Sequence, residues 1–199
     1  MTILKSLILI LFVLLSINGL KAQNSDQNWE ILKNNLKENK TPNWNHCFID
    51  GRLEFQSLTD SINNYSILLP KNYSSTTYKN DKYIVYQYNP TDESNENPIL
   101  EIKIGPVISE KIDVHFDKAL SESVYSKSFR HYGKIELNEN ESYWIESQKD
   151  KKSRMLSFYL INQETNRIFI LTINSFKKRK SASDYCIFTN YFKNIEWIK

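Results

Sequence analysis

The sequence predicts an α+β fold, an antiparallel β-sheet with helices packed on it, and three observations carry that prediction. Apolar and polar residues alternate with period two over most of the second half of the chain. The period switches to a helical one between Asp113 and Phe129. Polar, turn-forming clusters separate the alternating runs at short intervals. Strands of this kind bury one face each, and a helix laid on the sheet satisfies the burial needs of both elements.

The chain of 199 residues opens with Lys5 and an unbroken apolar run from Leu7 to Leu15, after which it turns polar around Ala22-Gln23. A bilayer-spanning helix needs about 20 apolar residues, so this run fits a cleavable signal peptide better than an anchor. The expectation is a signal peptide over residues 1–22, cut between Ala22 and Gln23. An N-terminal helical extension over 23–46 and one α+β domain over 47–199 follow. No cysteine stands at the end of the apolar block, which argues against a lipoprotein. Export to the periplasm or to the extracellular space is therefore expected.

Lys5 and Lys21 belong to the leader, so they account for two of the 26 basic residues, and the remainder nearly balances 23 acidic ones. A near-neutral chain with interspersed charges lacks the basic footprint of a nucleic-acid binder. Lys177-Lys178-Arg179-Lys180 is a dense basic run, read as a solvated connection between elements. The 22 asparagines and 4 glycines suggest a bacterial source with an AT-rich genome. Asn64, Asn72 and Asn140, although followed by the Asn-x-Ser/Thr pattern, are then not glycosylation sites.

Within 26–38, Trp29, Leu32 and Leu36 fall at i, i+3 and i+7, a thin helical stripe ended by Thr41-Pro42-Asn43. Phe48, Leu53 and Phe55 around Asp50-Gly51, and Tyr65 to Leu69 before Pro70, read as strands. Lys71 to Asp81 reads as a turn-rich connection. Tyr83 to Tyr88 is β-branched and aromatic, and Leu100 to Ile104 alternates; both read as strands, separated by a polar loop over 89–97. Phe116, Ala119, Leu120, Ser123 and Val124 form the stripe of the interior helix, with Asp113 as its expected cap. Lys134 to Leu137, Tyr143 to Glu146, Met155 to Leu160 and Arg167 to Phe176 then form a meander whose last two strands are central. Ser181-Ala-Ser-Asp184 starts a last helix with Tyr185, Phe188, Thr189 and Phe192 on one stripe through Ile195.

Four features of this layout resemble the PsbP-like superfamily, which includes PsbP, Mog-type Ran-binding proteins and DcrB-like envelope proteins. They are the strand Tyr65-Ser-Ile-Leu-Leu-Pro70, the mid-chain helix before a meander, the glycine-led hairpin from Gly133 to Trp144, and Tyr191-Phe192-Lys-Asn-Ile195 at the close of the last helix. The resemblance covers roughly residues 47–199. It implies an α/β/α sandwich that acts by binding other proteins, with no shared catalytic residues.

Cys47 and Cys186 both lie beyond the leader, and in an exported protein an intramolecular disulfide is the simplest reading. Closing so long a loop would stabilise the fold by up to about 5 kcal/mol. Two separate thiols are the alternative. Cys186 beside His46, His115 or His131 would suggest a thiol enzyme, but no local signature supports one. His46, Cys47 and Asp50 have zinc-ligand chemistry, yet adjacent strand residues point to opposite faces. Acid pairs such as Glu141 with Glu146, or Asp113 with Asp117, invite a hydrolase reading. Among 23 acids such pairs are expected by number alone. No phosphate loop, Gly-x-Ser-x-Gly or His-Glu-x-x-His occurs. The reading is a non-catalytic protein-binding module with no cofactor and no metal, soluble once the leader is removed, whose partner is an envelope or extracellular protein. Trp44, Trp144 and Trp197 are its candidate recognition aromatics, with Tyr83, Tyr86 and Tyr88, and core packing is the alternative for each. A small extracytoplasmic hydrolase or thiol enzyme, and a carrier of apolar ligands, are the competing functions.

Overall fold

The computed structural model describes residues 28–38, 54–91, 98–137, 140–148, 153–175 and 191–198. The leader, Trp44, His46, Cys47, Cys186, the Asp50-Gly51 turn, the basic run at 177–180 and most of the last predicted helix lie outside them. The chain divides into two units, Met1–Lys37 and Glu38–Lys199. In the first, residues 28–35 form helix α1.

In the second unit the strands are β1 (Phe55–Asp60), β2 (Tyr65–Pro70), β3 (Tyr73–Lys79), β4 (Ile84–Pro90), β5 (Ile99–Val107), β6 (Phe129–Leu137), β7 (Asn140–Ser147), β8 (Arg154–Asn162), β9 (Arg167–Ser175) and β10 (Glu196–Trp197). Helix α2 (Ile112–Tyr125) stands between β5 and β6. Among the described residues β3-β4-β5-β9-β8-β7-β6 form one sheet and β1-β2-β10 a second. Every pairing in both is antiparallel. The predicted meander is β6 to β9, and its last two strands sit inside the large sheet.

Alternation places the core on one face of that sheet. One row of directly paired residues runs Tyr86, Ile102, Leu171, Phe158, Trp144, Gly133 across β4 to β6. This face packs against Tyr65, Ile67 and Leu69 of β2 and against Tyr191, Phe192 and Ile195, forming one buried cluster. Trp144 is 1% exposed within it, so it is a core residue and not a recognition aromatic. Gly133 stands opposite it on β6. Burial of each such large side chain stabilises the fold by about 1.5–3 kcal/mol.

The opposite face carries α2, whose Phe116 and Leu120 are buried. The Phe116 ring stacks on Tyr143 at 4.6 Å and meets the edge of Tyr159 at 5.9 Å. Asp113 is not the cap. Lys111 holds that position without a side-chain bond, and Asp113 lies in the first turn, where its carboxylate accepts the Val114 N–H at 2.9 Å. A negative charge there complements the helix dipole. The helix covers its apolar stripe but ends before Phe129, the expected end of the helical segment. Ser126 Oγ donates to the Ser123 carbonyl, Lys127 turns the chain with φ 58°, and Phe129 already begins β6.

The other departure is β3. Lys71 to Asp81, expected as a connection, contains a seven-residue strand paired with β4 along its whole length, from Tyr73 with Pro90 to Lys79 with Ile84. Ser74 to Lys79 are all exposed, so no apolar alternation marks the segment. Its Thr and Tyr content is the signal that favours a strand.

Candidate functional site

The large sheet has two outer strands, and their sequences treat water differently. β6 carries Arg130, Lys134 and Glu136, and its pairing with β7 is interrupted by a register shift between Phe129 and His131. Lys134 Nζ bonds Glu141 at 3.1 Å and lies 5.3 Å from the Tyr143 ring centre. Charge and a bulge are the usual devices that keep a sheet edge from pairing with another chain. β3 has neither. From Tyr73 to Tyr78 it is uncharged, it contains no proline, and its register with β4 is unbroken. Tyr73 anchors it by donating its hydroxyl to the Pro98 carbonyl at 2.9 Å. Among the described residues no strand pairs with its outer side. Among the described residues the outer backbone of β3 is thus unpaired, beside the exposed Thr76 and Thr77 and the 46% exposed Tyr78.

A polar node holds the sheet at the far side of β4. Tyr86 Oη donates to Asp60 Oδ2 at 2.7 Å, and Asn63 Nδ2 donates to the same oxygen at 2.7 Å. The Ile62 and Asn63 amides close on Oδ1 at 3.0 Å, and Arg167 Nη1 donates to Asn63 Oδ1 at 2.8 Å. Burial raises the Asp60 pKa, but the bonds from Asn63 and Tyr86 outweigh it and leave the carboxyl below its ordinary value. Burial and the Asp60 carboxylate push Tyr86 up to about 12. Burial also pushes Tyr88 up to about 12. These tyrosines are neutral at physiological pH. The node ties the β1–β2 turn to the large sheet, and Asn64 extends the tie: with φ 56° it turns its carbonyl to accept from Asn162 Nδ2 and the Ile198 amide.

Two open clefts lie beside α2. One, of about 330 Å³, is lined by Ser123, Ser126, Ser128, Ser147, Ser157 and Tyr159. The other, of about 320 Å³, is lined by Lys82, Tyr83, His115, Lys118, Glu122 and Ile168. Both are open to solvent, and their walls mix polar groups with apolar ones such as Ala119, Ile145 and Met155 in the first and Pro106 in the second, unlike the closed apolar cavity that a carrier of apolar ligands needs.

The remaining residues singled out by sequence scatter. Trp197 is half-buried, with its ring 5.0 Å from Phe169. Tyr88 is core, whereas Tyr83 and Tyr86 are half-buried. Glu141 is exposed, while Glu146 lies on the other face of β7, buried and 3.5 Å from Arg154, so the two do not act on one substrate. His115 lies 3.6 Å from Glu110, and His131 is on β6. No group of three or more metal-ligating side chains occurs among the described residues. None of their helices is long and apolar enough to cross a membrane. Sequence reasoning missed the β3 edge, because Lys71 to Asp81 reads as a connection.

No protein-family model matches the chain, and no curated protein matches its sequence. Solved structures do. Cyanobacterial PsbP (CyanoP) from Synechocystis superposes with a TM-score of 0.52 at 14% identity, over 76% of this chain and 96% of that one. The Saccharomyces cerevisiae Ran-binding protein Mog1p gives a TM-score of 0.49 at 6% identity, over 74% and 97%. Identity this low makes the likeness one of fold: the chain has an α+β, PsbP-like architecture.

Proposed function

We propose that this is an exported, non-catalytic protein-binding module, and that it binds by accepting an extended segment of an envelope or extracellular protein onto the outer edge of β3. The observation that supports this reading is the contrast between the two outer strands: β6 is charged and bulged, and β3 keeps an unbroken register, is uncharged from Tyr73 to Tyr78 and is exposed from Ser74 onward. Strand addition draws affinity from main-chain hydrogen bonds, and the flanking side chains set preference. Exposed Thr and Tyr on β3 suit a partner rich in β-branched and aromatic residues. The leader supplies the address, and cleavage between Ala22 and Gln23 with a Cys47–Cys186 bond completes the proposal.

A photo-crosslinking residue placed at Tyr78 in the native host tests the surface, with one at Lys134 on β6 as control. The reading expects a defined adduct from position 78 and none from 134; equal labelling from both contradicts it. The intact mass of the exported protein, with and without reduction and alkylation, tests the address. Loss of residues 1–22 and two thiols blocked before reduction are expected. A retained leader, or two freely alkylated thiols, overturns that part.

A further inference from the structure

If β3 is a strand-addition edge, the chemistry of its own sequence identifies one partner, and this inference rests on that reading. We propose that β3 pairs with β3 of a second copy of the chain, antiparallel about a two-fold axis at Thr76, so that one continuous sheet runs through both copies.

The register follows from the residues. An axis at Thr76 sets Thr76 opposite its own counterpart, Ser75 opposite Thr77, Ser74 opposite Tyr78, and Tyr73 opposite Lys79. Thr–Thr and Thr–Ser neighbours are among the cross-strand pairs that stabilise antiparallel sheets. Antiparallel pairing keeps faces matched, so Ser74, Thr76 and Tyr78 of both copies fall on the face that carries α2. There they extend the row Ser157, Thr172, Glu101, Gln87, Thr76 that already crosses β8, β9, β5, β4 and β3.

Charge agrees with the register. Lys79 is the one charged residue of β3, and self-pairing places the two copies of it at opposite ends of the paired segment. Six residues of strand separate them, about 20 Å at about 3.4 Å per residue. This is roughly twice the screening length of physiological salt, so their repulsion is negligible. A seven-residue edge is a small contact, which puts the dimer in the weak, concentration-dependent class.

The test uses sedimentation of the mature protein over a concentration series, with Thr76→Lys, Thr76→Glu and an equimolar mixture of the two. Wild type is expected to associate reversibly. Each variant alone sets like charges opposite each other and weakens association about five-fold. The mixture, with Lys opposite Glu, restores it. Circular dichroism of each variant excludes unfolding as the cause. Wild type that remains monomeric throughout overturns self-pairing, as does association that neither substitution affects. A monomer that still gives the Tyr78 adduct leaves strand addition to another protein standing; a monomer without the adduct removes both.

Discussion

The Tyr86 hydroxyl donates to Asp60 Oδ2 across 2.7 Å, joining the large sheet to the turn that closes the small one. The bond spans a boundary that is otherwise apolar packing and a few further hydrogen bonds, among them Arg167 to Asn63 and Asn162 to the Asn64 carbonyl. Its strength is measurable through a cycle of Asp60→Asn, Tyr86→Phe and the double variant. A coupling of about 1 kcal/mol is expected, below the 1.5–3 typical of buried bonds to charged groups because the pair is part-exposed. Denaturant unfolding gives the value, and additive single effects would show that the bond contributes nothing.

The same carboxylate sets a pH dependence. Its folded pKa lies below the ordinary 3.8. The stability it contributes is therefore complete above that value and is lost as pH falls through the lower, folded one. Asp60→Asn lacks this component, so its stability falls less steeply than that of wild type between pH values of about 4 and 2. Parallel acid-unfolding curves for the two proteins would contradict the assignment.

Gly105 lies in β5 where a Cβ would collide with Ile168 Cγ2 and stand 2.9 Å from Tyr83 Cε1. Ile168 is 2% exposed and has little room to give, whereas Tyr83 is half-buried beside an open cleft. Gly105→Ala is expected to cost about 1–3 kcal/mol by overpacking. A variant as stable as wild type in thermal unfolding would mean that Tyr83 moves aside freely.

The tryptophans separate by burial. Trp144→Ala empties a core site and is expected to cost about 3–5 kcal/mol. Trp197→Ala removes a half-buried ring held against Phe169 and should cost less than half as much. Urea midpoints read the difference, and equal losses would place Trp197 in the core as well.

The sequence makes the buried half of this fold legible and hides the exposed half. β2 and β5 announce themselves because one face of each is core, which writes alternation into Tyr65-Ser-Ile-Leu-Leu, and β8 and β9 because both faces are largely covered, which makes Ile168 to Ile173 a nearly continuous apolar run. β3 is invisible to the same rule because it borders water on both faces and along one edge. Alternation also shows that a strand is half-buried without showing what covers it. Trp144 stands in the sequence as a candidate recognition aromatic with core packing as the favoured alternative, and its burial beside Phe158 places it inside. The Asp60 node was hidden for another reason: its members, Asp60, Asn63, Tyr86 and Arg167, come from three separate stretches of chain and meet only through the packing of two sheets.

The claim on which the functional reading depends is that the outer backbone edge of β3 is open, and amide hydrogen exchange on dilute mature protein tests it most directly. Every second amide from Tyr73 to Lys79, those directed away from β4, is expected to exchange nearly as fast as in an unstructured chain, while the alternate amides bonded to β4 are protected. Uniform protection along the whole strand at low protein concentration would mean that the edge is already occupied, and the proposed binding surface would not exist.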